Sequence, residues 1–430
     1  MATAIAVSFI FLFGIGIPIA FVLGGAGLIS LLLMPQAEGM ANAVPQQIFN
    51  TFNSFPFLTI PLFVFAGTIM AEGGVARRLM DFAEATVGRG RGGLGSAVVV
   101  STILFHGISG SSTADTAAIS KVTMGSLQRQ GYPLPFAAAL IASAGATATL
   151  VPPTIDLIII GVIANMSIAA LFAAGLIPAL VNGAGLVLVV LLISRRRGYG
   201  TKWERLDVRT CVTAFIKAIP ALFLIVIILG GILFGVFTPT EASAVAVMYG
   251  LFVAAFVYRD LKLASLPIIF RETIEISGMV FLVLSMGTVL AFAMTIAQIP
   301  QALAASIVEV ADNKYLFLLL VQVLFFIIGM FMDSLPALII LIPILTPIAV
   351  TLGVEPIHFG ILVEANVALA MAHPPAGVCL FAACAVAKLP LERVVRPLLP
   401  FIGILIVTLL IITYYENFSM FLPRLLALTN

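Results

Sequence analysis

The run His106-Gly-Ile-Ser-Gly-Ser-Ser-Thr-Ala-Asp115 sits in the middle of a stretch, 92–128, that is long enough to enter a membrane. Glycines and hydroxyls at that depth interrupt a helix, and the way the chain resumes decides the fold. A single crossing delivers the chain to the far side, whereas a re-entrant hairpin returns it to the side it came from. A second such run, Gly329-Met-Phe-Met-Asp-Ser-Leu-Pro336, lies inside 315–350. The basic residues choose between the two readings, because Lys and Arg concentrate in short loops on the cytoplasmic side. With both stretches taken as hairpins, the basic residues gather on one face, with only Lys314 and Arg424 of the 21 opposite. Counting either hairpin as one crossing flips every downstream loop and destroys the bias.

The composition agrees with a membrane setting. The chain has 430 residues, 62% apolar and 9% charged, and a mean hydropathy of +1.21. That excludes a cytoplasmic enzyme. Roughly 20 apolar residues cover a ~30 Å hydrocarbon core, and such stretches fall near 4–34, 51–71, 136–165, 170–194, 211–236, 242–257, 274–298, 358–387 and 397–415. The expected fold is therefore an all-α polytopic membrane protein. The first basic residue is Arg77, so 4–34 reads as a spanning helix and not as a cleavable signal. This places the N-terminus in the cytoplasm and the C-terminus outside, with the two hairpins entering from opposite sides and pointing at each other. A net charge of +2 gives no reason to expect nucleic acid. Cys211, Cys379 and Cys384 lack metal-ligand spacing.

Sliding the chain along itself by 222 residues superposes Gly107 on Gly329, Ser112 on Ser334, Gly131 on Gly353, Pro152-Pro153 on Pro374-Pro375, and Pro178 on Pro400. The crossings between equivalent positions are odd in number, so the repeats are inverted. Inverted repeats with broken helices mark secondary transporters, whose sites lie where the discontinuous segments meet. The expected organisation is a scaffold helix and loop over 1–50, repeat 1 over 51–194, a polar linker over 195–209, scaffold helices over 210–272 and repeat 2 over 273–430.

Each hairpin tip, and each helix broken by a proline pair, exposes carbonyls and amides that hydrocarbon does not satisfy. Pro152 and Pro153 crowd the carbonyls of Ala148 and Thr149, and Pro374 and Pro375 crowd those of Ala370 and Met371. Tip plus break, occurring twice, makes two oxygen-lined cages suited to a hard monovalent cation such as sodium. The candidate sodium contacts are Ser109, Gly110, Ser111, Ala148 and Thr149 in the first cage, and Met332, Asp333, Ala370 and His373 in the second. Candidate substrate contacts are Ser111, Ser112, Asp115, Asp333, Ser334 and His373. Gly107, Pro152 and Pro153, with Gly329, Pro336, Pro374 and Pro375, shape the two breaks.

Acidic residues at depth cost about 2.5–3.5 kcal/mol each to insert, which makes Asp115, Asp156, Glu241, Asp333 and Glu364 functional candidates. Glu241 in Thr238-Pro-Thr-Glu fits a helix cap equally well. Glu364 suits either a protonated helix contact or a proton relay. His106 beside serines and Asp115 invites a hydrolase reading, but the chain has no nucleophile-elbow motif, and the expectation is a protein that is not an enzyme.

These residues resemble one family over nearly the whole chain: the large membrane subunit of tripartite ATP-independent periplasmic (TRAP) transporters. The resemblance rests on Gly107-Ile-Ser-Gly-Ser-Ser-Thr-Ala-Asp115, Gly131-Tyr132, Val151-Pro-Pro-Thr154, Phe237-Thr-Pro-Thr-Glu-Ala242, Pro343-Ile-Leu-Thr-Pro347, Phe359-Gly360 and Pro374-Pro-Ala-Gly377. It implies sodium-driven, elevator-type import of an organic acid such as a dicarboxylate or sialic acid across the bacterial inner membrane, with the C-terminus periplasmic. It also implies two partners, a periplasmic substrate-binding protein and a small four-helix membrane subunit, the latter expected as a separate chain. The sequence departs from the family pattern at His373, where Thr is usual, and at Ala148 and Ala370, where Gly is usual. The nearest alternative is a stand-alone sodium- or proton-coupled carboxylate transporter of the same architecture.

Overall fold

The computed structural model describes residues 2–34, 42–200, 207–302, 313–330, 332, 334–375 and 377–428. Its helices follow the apolar stretches, interrupted where the prolines and glycines fall. The N-terminal part holds α1 (Ala2–Gly14), α2 (Ile19–Leu32), α3 (Ala43–Phe52), α4 (Thr59–Glu72) and α5 (Val75–Val87). The first hairpin is α6 (Gly93–Ser109) and α7 (Ser112–Arg129), and the first broken helix is α8 (Leu134–Ala148) and α9 (Ile155–Ile163). There follow α10 (Ile168–Arg197), α11 (Val208–Leu233), α12 (Pro239–Phe252) and α13 (Leu266–Ile296). The second hairpin is α14 (Lys314–Ile328) and α15 (Ser334–Thr351), and the second broken helix is α16 (Pro356–Ala372) and α17 (Val378–Ala387). The chain closes with α18 (Glu392–Tyr414) and α19 (Asn417–Leu425).

Seven helical stretches among the described residues are long and apolar enough to cross a membrane. The hairpin legs and the halves of the broken helices are mostly shorter, as interruption at depth requires. The 222-residue offset holds to the residue at α7 and α15. It holds again at the breaks, where Val151 N donates to Ala148 O at 2.8 Å and His373 N to Ala370 O at 3.1 Å.

One expectation changes. The stretch 4–34 is not one spanning helix: the chain turns at Gly16, whose φ is +82°, and α2 folds back on α1, with Leu12 packed against Gly25. Two short apolar helices in contact thus stand where one long helix was expected. The segment between the fourth and sixth helices, which lies outside the predicted spans, is the amphipathic helix α5, which buries Val75, Ala76, Leu79, Met80 and Ala83. The predicted cap at Glu241 is present as a reciprocal capping box, with Thr238 N donating to Glu241 Oε2 at 2.8 Å and Glu241 N to Thr238 Oγ1 at 3.3 Å.

Packing exchanges elements between the repeats. The half-helix α9 lies on α15 of the second hairpin, and α17 lies on α7 of the first. In the same way α2 packs on α13 and α12 on α4, so the helices expected as plain scaffold obey the same pseudo-two-fold relation. Helix α2 approaches the backbone of α13 most tightly at Gly27, where an added Cβ would come within 2.9 Å of the N and Cα of Leu290. Backbone cannot step aside as a side chain can, and overpacking of this kind costs about 1–3 kcal/mol. Gly27→Ala is expected to lower Tm in detergent by several degrees, whereas Gly278→Ala on the open face of α13, with nothing within 4 Å, leaves it unchanged or slightly higher.

Candidate functional site

The first tip is built by its glycines. Helix α6 ends because Gly110 adopts φ +66°, with its N–H donating to His106 O at 2.9 Å. Ser111 is extended and α7 begins at Ser112, but the Ser111 hydroxyl makes no capping bond. A serine that does not cap is free to face a ligand. The tip leans on the break of its own repeat: an added Cβ at Gly110 would stand 3.1 Å from Pro153 O, and one at Gly107 3.6 Å from Pro152 O. On its other side Ser109 packs against Gly67 of α4. The carbonyls of the proline pair thus face the tip, and Ala148 and Thr149 just before the pair are buried.

Asp115 faces inward. His106 Nδ1 lies 2.7 Å from its Oδ2, the Ser109 hydroxyl donates to its Oδ1, and both His106 and Asp115 are fully buried. The constellation that resembled a hydrolase triad is therefore a staple joining the two legs of one hairpin, with Asp115 turned wholly inward. Ser112 is buried with its hydroxyl unpartnered.

The second tip is formed differently. Gly329 packs on Ala370 of the following broken helix. Gly329, Met332, Ser334, Ala370 and Met371 line a cavity of about 20 Å³, enough for one water-sized occupant. Asp333, the strongest acidic candidate, lies outside the described residues. His373 has extended backbone at φ −87°, ψ 135°, its ring meets Phe326 edge-on at 4.5 Å, and its Nδ1 is buried without a partner. Ala148 and Ala370 each accept the tight bond noted above, so each carbonyl keeps one lone pair for a ligand. Both proline pairs are cis.

Tertiary structure also unites two acids that the sequence offered separately. Gly360 of α16 packs on Ile160 of α9. One turn from each, Glu364 faces Asp156 and the Thr149 hydroxyl. Glu364 is fully buried and neither of its carboxylate oxygens makes a hydrogen bond of good geometry. No spacing rule finds this pair, because its members come from opposite repeats 208 residues apart.

The hairpin staple makes a sharp expectation. Removing Asp115 leaves His106 buried without its partner, and removing His106 leaves Asp115 with Ser109 alone, at about 1–3 kcal/mol for each lost partner. His106→Ala and Asp115→Ala should each lower Tm clearly, and the double variant should cost less than their sum; additivity would show that the two side chains are not coupled.

A family model described as the tripartite ATP-independent periplasmic transporter, DctM component, matches residues 6–418. The C4-dicarboxylate TRAP transporter large permease protein of Pseudomonas aeruginosa is 38% identical over 95% of both chains. The sialic acid TRAP transporter large permease of Vibrio cholerae is 34% identical over 95% of both. The isethionate TRAP transporter permease DctMQ of Oleidesulfovibrio alaskensis is 38% identical over 95% of this chain, which spans 64% of that longer protein. Among solved structures, the YdaH transporter of Alcanivorax borkumensis superposes with a TM-score of 0.65 over 90% of each chain at 13% identity, a likeness of fold. With the inverted hairpins, the paired breaks, a family model over residues 6–418 and two single-subunit permeases matched along almost their whole length, the chain belongs to the DctM component of the tripartite ATP-independent periplasmic transporters, a multi-pass membrane permease subunit and not an enzyme.

Proposed function

We propose that this permease couples sodium entry to import of a small organic anion handed over by a periplasmic binding protein, in company with a small membrane subunit. The observation that carries the reading is the convergence, twice, of a hairpin tip on the break of its own repeat: Pro153 O against Gly110, and a one-water cavity between Gly329, Ser334 and Ala370. Both settings offer neutral oxygen donors in a confined space, the donor set a hard monovalent cation prefers. A sodium ion at each tip supplies positive charge where the anionic substrate binds. The protein's own part is to aim the N-terminal ends of α7 and α15, with the hydroxyls of Ser111 and Ser334, at a carboxylate. Asp115 acts on this surface only through the shape of the tip.

The substrate class follows from anionic cargo in the names of the relatives, C4-dicarboxylate and sialic acid. Basic loops held on one side support a cytoplasmic face at the Arg195–Arg197 end of α10. Interlocked repeats built from rigid helices suit an elevator motion, in which tips and breaks travel together.

A second reading, coupling to protons, is favoured by one observation, the buried pair of Glu364 and Asp156. The two readings separate cleanly. With choline replacing sodium at constant ionic strength, sodium should stabilise the purified protein saturably, by about 2.7 kcal/mol at one hundred times the dissociation constant. A flat response, together with uptake driven by a pH gradient and lost in Glu364→Gln, would establish proton coupling instead. Under the sodium reading Glu364→Gln keeps sodium-dependent uptake. Ser111→Ala is expected to abolish uptake in proteoliposomes carrying both partners while the protein still inserts; wild-type uptake would remove Ser111 from the site.

A further inference from the structure

A cavity of about 470 Å³ opens at the cytoplasmic ends of α8, α10 and α18, away from both tips. Its lining combines Arg197, Arg393 and Arg396 with Tyr199, Ile193 and Pro397. The inverted repeat explains the convergence. Helices α10 and α18 are repeat equivalents, and inversion brings the last turn of one beside the first turns of the other, so basic residues from opposite helix ends meet at one membrane face. None of the three guanidinium groups is ion-paired among the described residues; Arg197 Nη1 only approaches the Tyr199 hydroxyl, at 3.4 Å.

Helix stability accounts for part of this cluster. Arg197 closes α10, where the macrodipole favours a cation, but Arg393 and Arg396 lie near the N-terminus of α18, where it opposes one. Topology asks only for positive charge on this side of the membrane, not for three arginines around one cavity. The cavity is also preformed. Gly198 and Gly200 turn the chain back at the end of α10, with Gly200 N donating to Gln130 O at 3.0 Å. Tyr199 then packs on Phe136 at 5.5 Å, and Phe136 on Phe401 at 5.4 Å.

We infer that this cavity binds the phosphate headgroup of an anionic glycerophospholipid. Arginine forks match phosphate oxygens in pairs, and basic pockets between helices on the cytoplasmic side suit such headgroups. The apolar wall of Ile193, Pro397 and Pro400 below the arginines fits the start of an acyl chain and has no use for a free phosphate ion. A bound lipid joins the ends of α10 and α18 to the start of α8, and so links the two repeats.

The full-length protein in detergent is titrated with phosphatidylglycerol, cardiolipin, phosphatidylcholine and inorganic phosphate, with thermal stability and lipid adducts in native mass spectra as readouts. Saturable stabilisation by the anionic lipids but not by phosphatidylcholine or phosphate is expected. The variant carrying Arg197→Gln, Arg393→Gln and Arg396→Gln should need at least about tenfold more lipid for the same effect. A charge-matched variant, Arg77→Gln with Arg129→Gln and Lys262→Gln, should respond like the parent. Equal loss in both variants, or a shift reproduced by inorganic phosphate, overturns the assignment. If the triple variant is not recovered, Arg396→Gln alone carries the test, and an unchanged lipid response in it counts against the site.

Discussion

Hydrocarbon offers no partner to a peptide group, so every break in a membrane helix has to be enclosed by protein. Among the described residues two hairpin tips and two proline pairs make such breaks, and the packing around them shelters them. Tip and break shelter each other within each repeat, through Gly110 against Pro153 and Gly329 against Ala370. The legs that lead away are then covered by the opposite repeat, α9 on α15 and α17 on α7. Each repeat shelters its own breaks but draws cover for the helices leading away from the other repeat, which is the physical reason for the interlocked pairing.

The same constraint explains the polar residues left inside. Thr116 and Thr123 of α7 return their hydroxyls to the carbonyls one turn back, at 2.7 Å each, and so are satisfied locally. His106, Ser109 and Asp115 satisfy one another across the tip. Buried polar atoms without a hydrogen-bond partner are spread through the described residues, and those near the breaks include the Ser112 hydroxyl and His373 Nδ1. The two-fold relation is also imperfect there, since Pro152 and Pro153 are buried while Pro374 is half-buried and Pro375 exposed. One break is closed and the other opens to the surface, the kind of inequality that alternating access exchanges between halves.

Much of this was legible in the sequence for simple reasons. Apolar length sets crossings, prolines and glycines punctuate helices wherever they stand, and the charge bias required both hairpins to return. The offset of Pro152-Pro153 to Pro374-Pro375 exposed the repeat because both copies keep the same local geometry down to the bonds at Ala148 and Ala370. The packing of α1 on α2 was not legible, because an apolar run of suitable length looks the same whether it runs straight through or turns at Gly16.

By itself the sequence determined the membrane class, the hairpins, the breaks, the inversion and the family, all of which depend on local chain chemistry or on one-dimensional spacing. Only the tertiary structure decided which polar groups meet. It assigned Asp115 to His106 and Ser109 inside the hairpin, brought Glu364 to Asp156 across the repeats, and gathered Arg197 with Arg393 and Arg396 at one cavity. Those encounters depend on how two inverted copies interlock, and the distance between residues along a chain carries no record of that.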